Sequence, residues 1–369
     1  MKEKIGVVGG NGRVGRECLA YLAAAAQPTL AGGRHRPDHF TLAPFRNLDV
    51  YDSKSLTDFC RDCRVVVNCA GPASQIRERV ALAALAQGCH YVDPGGYTPL
   101  FSLLAAHSER IREAGVTFLL TLGVLPGLSE LLPVYVAGKE FDQVEHFVCA
   151  AVGRDFWTYA SARDIAWGVG NIGNGESPVY YEKGLRKMAG LLTSASKIHL
   201  PPPVGRHTVF RLMRDDLQEF VAASGIQSAH AYGNNWGCWT TLATVLARAL
   251  RLYGSEKRLD WAARLIMKAA AIDMGGKKPG FMLHLHMRGR CGGAARELTR
   301  FLFFEETYRA TGICAAIGAQ LAAQGMRPGV FRAAQFPNPC LFMEYFQAAG
   351  YSLPGGDCSP QTAMAAARP

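Results

Sequence analysis

The sequence predicts a doubly wound α/β domain, a parallel sheet covered by helices on both faces, followed by a second α+β domain. Three observations carry this. Through the first 130 residues, short continuous apolar runs alternate with amphipathic stretches, the pattern of strands buried on both faces between helices. Directly behind the first run, "GGNGRVG" (9–15) crowds glycines where a helix should open. After about residue 130 the alternation gives way to longer strand and helix patterns, in a chain of 369 residues. That length exceeds the roughly 250–300 residues at which one core stops growing.

The elements follow in order. Ile5–Val8 is an apolar strand, Arg16–Ala26 an Ala- and Leu-rich helix, and Thr29–Ala31 a second strand, with a short third at Asn47–Val50. Ser53–Cys60 reads as a helix with Ser53 as N-cap. Val65–Cys69 is a strand, Ile76–Gln87 a helix stopped by Gly88, and His90–Asp93 a strand. Leu100–Ala114 is a helix ended by Gly115, and Val116–Leu122 a sixth strand. Beyond it we expect a strand at Val144–Val152, a helix at Ser161–Val169 and a rigid break at "LPPPVG" (200–205). Helices at Thr240–Leu252 and Arg258–Ala271 precede a strand over 280–290 and its antiparallel neighbour over 296–304. Helix Tyr308–Ala323 comes next. The expected division is 1–130, 131–350 (its C-terminal helix packing back on the first domain) and a loose tail, 351–369.

Composition excludes several classes. Hydrophobic residues at 49% and charged residues at 19% describe a globular chain. The net charge of +10 comes from scattered Lys and Arg matching no recognition module, so we expect no nucleic acid partner. The most apolar stretch, Phe118 to Gly138, carries Gly123, Pro126, Gly127, Glu130 and Pro133, unlike a membrane helix. We expect no membrane partner. The first residues enter a strand at once, leaving no room for a signal peptide, and eleven dispersed cysteines suit a reduced, cytoplasmic protein. Cys60 and Cys63 form a lone CxxC that reads as a helix end. His284 and His286 share a strand face without a third ligand, so no metal site is assigned.

The glycine turn explains itself as a phosphate cradle. Gly10, Gly12 and Gly15 fit GxGxxG, with Gly9 before it, after a strand and opening a helix. Glycines let backbone N–H groups approach a pyrophosphate, and the helix N-terminus offers partial positive charge to it. The binding residues are Gly9, Gly10, Asn11, Gly12, Arg13 and Val14. An NAD-preferring site places an acid about 20 residues on. Here "AGGRHR" (31–36) gives Arg34, His35 and Arg36, and no acid until Asp38. Guanidinium forks suit a 2′-phosphate, which a carboxylate would repel, so the cofactor is NADP(H). The fourth strand ends in Asn68-Cys69-Ala70-Gly71-Pro72, where Asn68, Ala70, Gly71 and Pro72 let the cofactor approach the backbone.

The stretches "GVVGGNGRVGRECLAYL", "AGGR", "VVNCAGP", "GCHYVDPGGY" and "GVLPGLSELL", in this order, resemble the saccharopine dehydrogenase-like NADP-dependent reductases. Weaker likeness continues in "EETYRATGICAAIGAQL" and "MRPGVFRAAQFPNPCLFMEYFQAAGY". The resemblance implies an oxidoreductase, and a homodimer formed through the second domain's sheet. The middle of the chain is similar to thiazolinyl imine reductases of pyochelin-type siderophore assembly, which implies a small-molecule or carrier-bound imine as substrate. Saccharopine-type reduction, trans-acting enoyl reduction and non-catalytic NADP(H) sensing are the alternatives. Phe156, Trp157, Tyr159, Trp167, Tyr180, Tyr181, Trp236 and Trp239 would suit a flat aromatic substrate. Reduction of C=N needs a proton on nitrogen, and Tyr97, Asp93 and Tyr159 are the candidate catalytic residues.

Overall fold

Ile5, Val7 and Val8 are sealed from solvent in the first strand, β1 (Lys4–Val8), and everything in the N-terminal unit is built outward from it. The structure is a computed structural model that describes residues 3–95, 98–170, 176–190 and 193–354. In chain order β1 is followed by α1 (Arg13–Ala24), β2 (Thr29–Gly33), β3 (Phe45–Asn47), α2 (Ser53–Arg61) and β4 (Cys63–Asn68). Then come α3 (Ala73–Ile76), α4 (Arg79–Ala86), β5 (His90–Asp93), α5 (Thr98–Ala105), α6 (Ser108–Glu113), β6 (Thr117–Leu120) and α7 (Leu128–Glu140). The next stretch holds β7 (Gln143–Arg154), α8 (Tyr159–Gly170), β8 (Glu176–Ser177), β9 (Val179–Glu182) and β10 (Leu185–Met188). After it lie β11 (Ala195–His199), β12 (Arg206–Arg211), β13 (Met213–Arg214), α9 (Asp215–Ala223) and β14 (Ser228–Asn235). Helices α10 (Cys238–Ala249) and α11 (Glu256–Met274) precede β15 (Gly280–Cys291) and β16 (Ala294–Phe304). The chain closes with α12 (Thr307–Gly325), β17 (Gly329–Phe331) and α13 (Pro339–Ala348).

The chain forms two units: Met1–Leu131 with Thr307–Ala349, and Leu132–Glu306 with Gly350–Pro369. The first holds a seven-stranded sheet in the order β17-β6-β5-β4-β1-β2-β3, parallel throughout. Its direction of winding reverses between β1 and β4, the switch point where ligands bind in such folds. The sequence put residues 307–349 within a second domain except for a returning helix. In the structure all of Thr307–Ala349 lies in the first unit. The reason is α12, buried without interruption from Gly312 to Ala322. A helix apolar on every side must be enclosed, and its Gly and Ala residues let it lie close on α1 and against β4 and β5.

Local departures have simple causes. The N-cap of α2 is Asp52, whose carboxylate accepts from Lys54 N–H at 3.0 Å, and Ser53 is already helical. The expected helix over 76–87 breaks at Arg77, which takes φ +54°, and that over 100–114 divides into α5 and α6. The third strand pairs with β2 over Phe45–Asn47, upstream of its expected place. Cys60 and Cys63 are buried thiols, and their backbone carbonyls accept from the Cys89 thiol at 3.2 and 3.1 Å. Tyr351 of the expected loose tail packs edge-on against Phe304, ring centres 5.5 Å apart; residues 355–369 lie outside the described residues.

The second unit is a mixed sheet in the order β10-β9-β14-β7-β15-β16, with the β11–β12 hairpin attached to β14. As expected, β15 and β16 pair antiparallel, here from Phe281↔Phe304 to Cys291↔Ala294. Helices α8, α10 and α11 share an alanine-rich core of their own, Ala162, Ala166, Ala243, Ala247, Ala262 and Ala263. Sheet register sets His146, His230, His284 and His286 on one face. His286 sits between Glu297 (3.1 Å) and the Thr299 hydroxyl (3.1 Å). Burial lowers His284 from 6.5 to about 4, helped by His286, and burial with the Arg211 guanidinium brings His230 to about 4. The folded state thus binds fewer protons than the unfolded chain between these values. Stability is full above about 6.5 and is lost as the pH falls toward 4. We expect urea unfolding to show a loss on the order of 2 kcal/mol between pH 7 and 5 from His284. His284→Gln should flatten the profile; an unchanged profile in that variant would refute the assignment.

Candidate functional site

The glycine turn between β1 and α1 is shaped by close backbone approach. Gly9 has φ +75°, and a Cβ there would stand 2.7 Å from Ala70 N. A Cβ on Gly15 would fall 2.3 Å from the Gly9 carbonyl oxygen. Any larger residue would push the turn away from β4 or force α1 off it. Gly9 and Gly10 N–H both donate to Gly32 O, at 2.8 and 3.0 Å, fixing the turn to β2. Gly12 is the N-cap of α1, so the helix starts three residues before its expected Arg16. The first turn of any helix turns N–H groups outward along its axis, and here that turn carries Arg13 and Val14. This is the cradle a pyrophosphate requires, and the residues present fit it.

A link that no spacing rule announces joins this turn to the loop after β2. The Asn11 side chain donates to His35 O at 3.0 Å, and Arg16 donates back to Asn11 O at 3.1 Å. Arg34, His35 and Arg36 are exposed on that loop, with Arg36 donating to Phe40 O at 3.4 Å. Arg13 has a different neighbour: its guanidinium lies 3.9 Å over the Tyr308 ring of α12. Tyr308, expected in the second domain as a further plausible proton donor, lies instead in the first unit, where the return of α12 brings it to α1.

The ends of β4 and β5 meet through a buried polar network. Asn68 donates to Asp93 Oδ2 at 3.1 Å, and the Tyr91 hydroxyl donates to the same oxygen at 2.7 Å. Asp93 Oδ1 accepts from Gly95 N–H at 2.8 Å, and Asn68 Oδ1 from Ala70 N–H at 3.3 Å. Burial pushes the Tyr91 phenol far up, reinforced by the Asp93 charge. The carboxylate therefore pins the loop after β5 to the end of β4, and acts as a positioning group. Ala70, Gly71 and Pro72 follow directly, Gly71 exposed and Pro72 buried. The period-two spacing of Tyr91 and Asp93 on one strand face was the signal for this pair. After β6, Glu130 turns back and accepts from Gly127 N–H at 2.7 Å. Tyr97 lies outside the described residues.

In the second unit Tyr159 opens α8, and its hydroxyl donates to Asp260 of α11. That bond raises the phenol above its ordinary value, with burial adding to it. The fully buried Arg163 pairs with the same Asp260 and with Glu256, so this cluster clamps α8 to α11. The expected aromatic wall does not form as one surface. Trp157 and Trp167 pack into the helical core, Tyr181 is buried, and Arg154 covers Trp236 at 4.0 Å. Tyr180, His230 and Tyr232 stack along the sheet, with Arg211 4.1 Å over Tyr180. Phe156 and Trp239 remain exposed. Side-chain length and strand parity, invisible as composition, divide them. A shallow, open cleft beside Asp155, Asn235 and Asp273 encloses no space of ligand size.

Residues 5–119 match the family model described as the saccharopine dehydrogenase NADP binding domain. Among solved structures, apo saccharopine dehydrogenase (L-Glu forming) from Saccharomyces cerevisiae aligns with a TM-score of 0.71 at 14% identity. The alignment covers 97% of this chain and 100% of that one, so the two share a fold. DAP dehydrogenase of C. glutamicum in complex with DAP covers 94% of this chain and 98% of its own at 14% identity. An engineered D-amino acid dehydrogenase bound to NADP+ covers 93% and 96% at 14% identity. Both have a TM-score of 0.44, too low to carry weight. The glycine cradle, the arginine-bearing loop beside it and the matching family model agree: residues 5–119 are an NADP-binding domain of the saccharopine dehydrogenase type.

Proposed function

We propose that the protein is an NADPH-dependent reductase of C=N bonds, acting on a thiazolinyl imine, free or carrier-bound, to give a thiazolidine in siderophore or non-ribosomal peptide assembly. The observation that carries the choice of acceptor is the state of the candidate proton donors. Asp93 accepts from three donors and Tyr159 is bonded to Asp260. Two of the three are thus committed to holding structure. An imine suits such a site because its nitrogen can arrive already protonated, whereas an enoyl group needs its proton from the protein or water. Tyr97, four residues after Asp93 in the sequence, is the remaining candidate donor for a neutral acceptor.

NADPH bound here would supply hydride to the imine carbon. The chain's own part is positional. The Gly9–Gly15 cradle and the α1 N-terminus would hold the pyrophosphate, and Arg34 and Arg36 would take the 2′-phosphate. Asn11 keeps those two loops in register, and Asp93 with Asn68 holds the β4 and β5 ends that the nicotinamide half would face. The ten described cysteines are all unbridged, which supports a reduced, cytoplasmic setting.

NADPH oxidation should be followed against a thiazolinyl imine thioester, aminoadipate semialdehyde with glutamate, and an enoyl thioester, with NADH beside each. Turnover with the thiazoline alone is the expected result. Turnover with either of the others would replace the substrate assignment. NADPH binding without turnover on all three would overturn the reaction and leave a sensor.

A further inference from the structure

Several guanidinium groups of this chain are answered by carboxylates. Arg163 pairs with Glu256 and Asp260, Arg296 with Glu140 at 2.5 Å, and Arg46 with Asp62 at 2.6 Å. Arg211, half-buried at the end of β12, has a different environment. Its Nη1 donates to His230 Nδ1 at 2.5 Å, its Nε is buried without an acceptor, and no carboxylate among the described residues pairs with it. The guanidinium lies 4.1 Å over the Tyr180 ring and 5.5 Å over that of Tyr232. His230 stacks between those rings, 5.6 Å from the first and 6.2 Å from the second. Because Nδ1 accepts from Arg211, the ring proton stands on Nε2 and goes to Ser228 Oγ at 3.2 Å. Burial and the Arg211 charge lower His230 to about 4, so the ring stays neutral. Histidine therefore aims the guanidinium without cancelling its charge. Glu182, whose charge reaches His230, is itself taken up by Lys187 at 2.5 Å.

The sheet beside this stack is low. Register sets His230 opposite Val148 of β7 and, beyond it, His286 of β15, two strand spacings or about 10 Å away. The floor between the two histidines is thus a half-buried valine. Leu200 and Val204 close one end where they pack with Ala150. On the far side His286 is held by Glu297 and Thr299, and Arg288 stands across from Glu297. Among the described residues no three His, Cys, Asp or Glu side chains gather to hold a metal ion, so the histidines act as walls. We propose that Arg211 and the Tyr180–His230–Tyr232 stack bind a small planar monocarboxylate, an aromatic or conjugated acid. Its carboxylate pairs with the guanidinium, and its flat body lies against the rings and Val148. One uncompensated positive charge matches one negative charge; a phosphate dianion would call for a second cation, and Lys187 is already paired. The planar fork suits a carboxylate through two parallel hydrogen bonds, and the rings offer faces to a planar body. The site lies wholly within the second unit and does not depend on the reaction assigned above.

Calorimetric titration of benzoate into the full chain, with and without NADPH, tests this. Benzamide, cyclohexanecarboxylate and phenyl phosphate are run beside it. Benzoate should bind roughly tenfold more tightly than benzamide, which lacks the charge, and more tightly than cyclohexanecarboxylate, which lacks the plane. NADPH should not displace it. Arg211→Gln should weaken benzoate roughly tenfold and leave NADPH affinity unchanged. No binding of benzoate, equal binding of benzamide, a preference for phenyl phosphate, or displacement by NADPH overturns the proposal. Should the variant fail to fold, the wild-type chain is photolabelled with 4-azidobenzoate and its peptides are read by mass spectrometry. Adducts on β9, β12 or β14 that excess benzoate suppresses are expected, and adducts confined to other segments overturn the site. None of these readouts uses turnover, so failure here is distinct from failure of the reductase assignment.

Discussion

Replacing Arg34 and Arg36 together by alanine is expected to lower NADPH affinity roughly a hundredfold and leave NADH affinity nearly unchanged. The two cofactors differ here only by the 2′-phosphate. Each charge-assisted hydrogen bond to it contributes about 1.5–3 kcal/mol, with the lower figure apt at this exposed loop. Two such bonds at the lower value give about 3 kcal/mol, or roughly 150-fold. Asn11 holds the backbone of the loop, so the loop keeps its place when the guanidinium groups are removed. Calorimetric titration of both cofactors checks this. An equal loss for NADPH and NADH would mean that the arginines support the loop and do not read the phosphate.

Asp93→Ala should produce the largest loss of stability, about 3–5 kcal/mol. It leaves the Tyr91 hydroxyl, the Asn68 amide and Gly95 N–H without an acceptor, and Tyr91 is wholly buried. Each stranded donor costs about 1–3 kcal/mol. Asp93→Asn keeps an acceptor oxygen and should recover more than half of that loss, as read by urea unfolding. It also separates two roles. If Asp93 positions the β4 and β5 ends, the Asn variant retains turnover with an unchanged pH profile and a raised KM for NADPH. If it transfers the proton, kcat collapses while cofactor affinity and stability hold.

The candidate site was legible where chemistry is local. Gly9 and Gly15 must be small because backbone lies within 3 Å of where their side chains would stand, and such a need appears in the sequence as glycine itself. The arginines after β2 were equally legible, since they come before the first acid, Asp38, where an NAD site would place a carboxylate. Asp93 was found at the right strand end, yet its work as an acceptor for Tyr91 and Asn68 depends on β4 lying beside β5, a contact 25 residues long in the chain. Tyr159 shows the same limit: its partner Asp260 is 101 residues away.

The sequence by itself determined the alternation of strands and helices, the phosphate turn, the phosphorylated cofactor and the β15–β16 pairing. All of these rest on short-range periodicity or on the steric needs of single residues. Tertiary structure alone decided that Thr307–Ala349 returns to the first sheet, that Arg13 meets Tyr308, and that the aromatic residues of the second unit go to separate places. It also decided which side of α10 is buried. Periodicity reports that a helix has two faces, but only packing against α8 and α11 chose the alanine face for the interior and left the leucines outside.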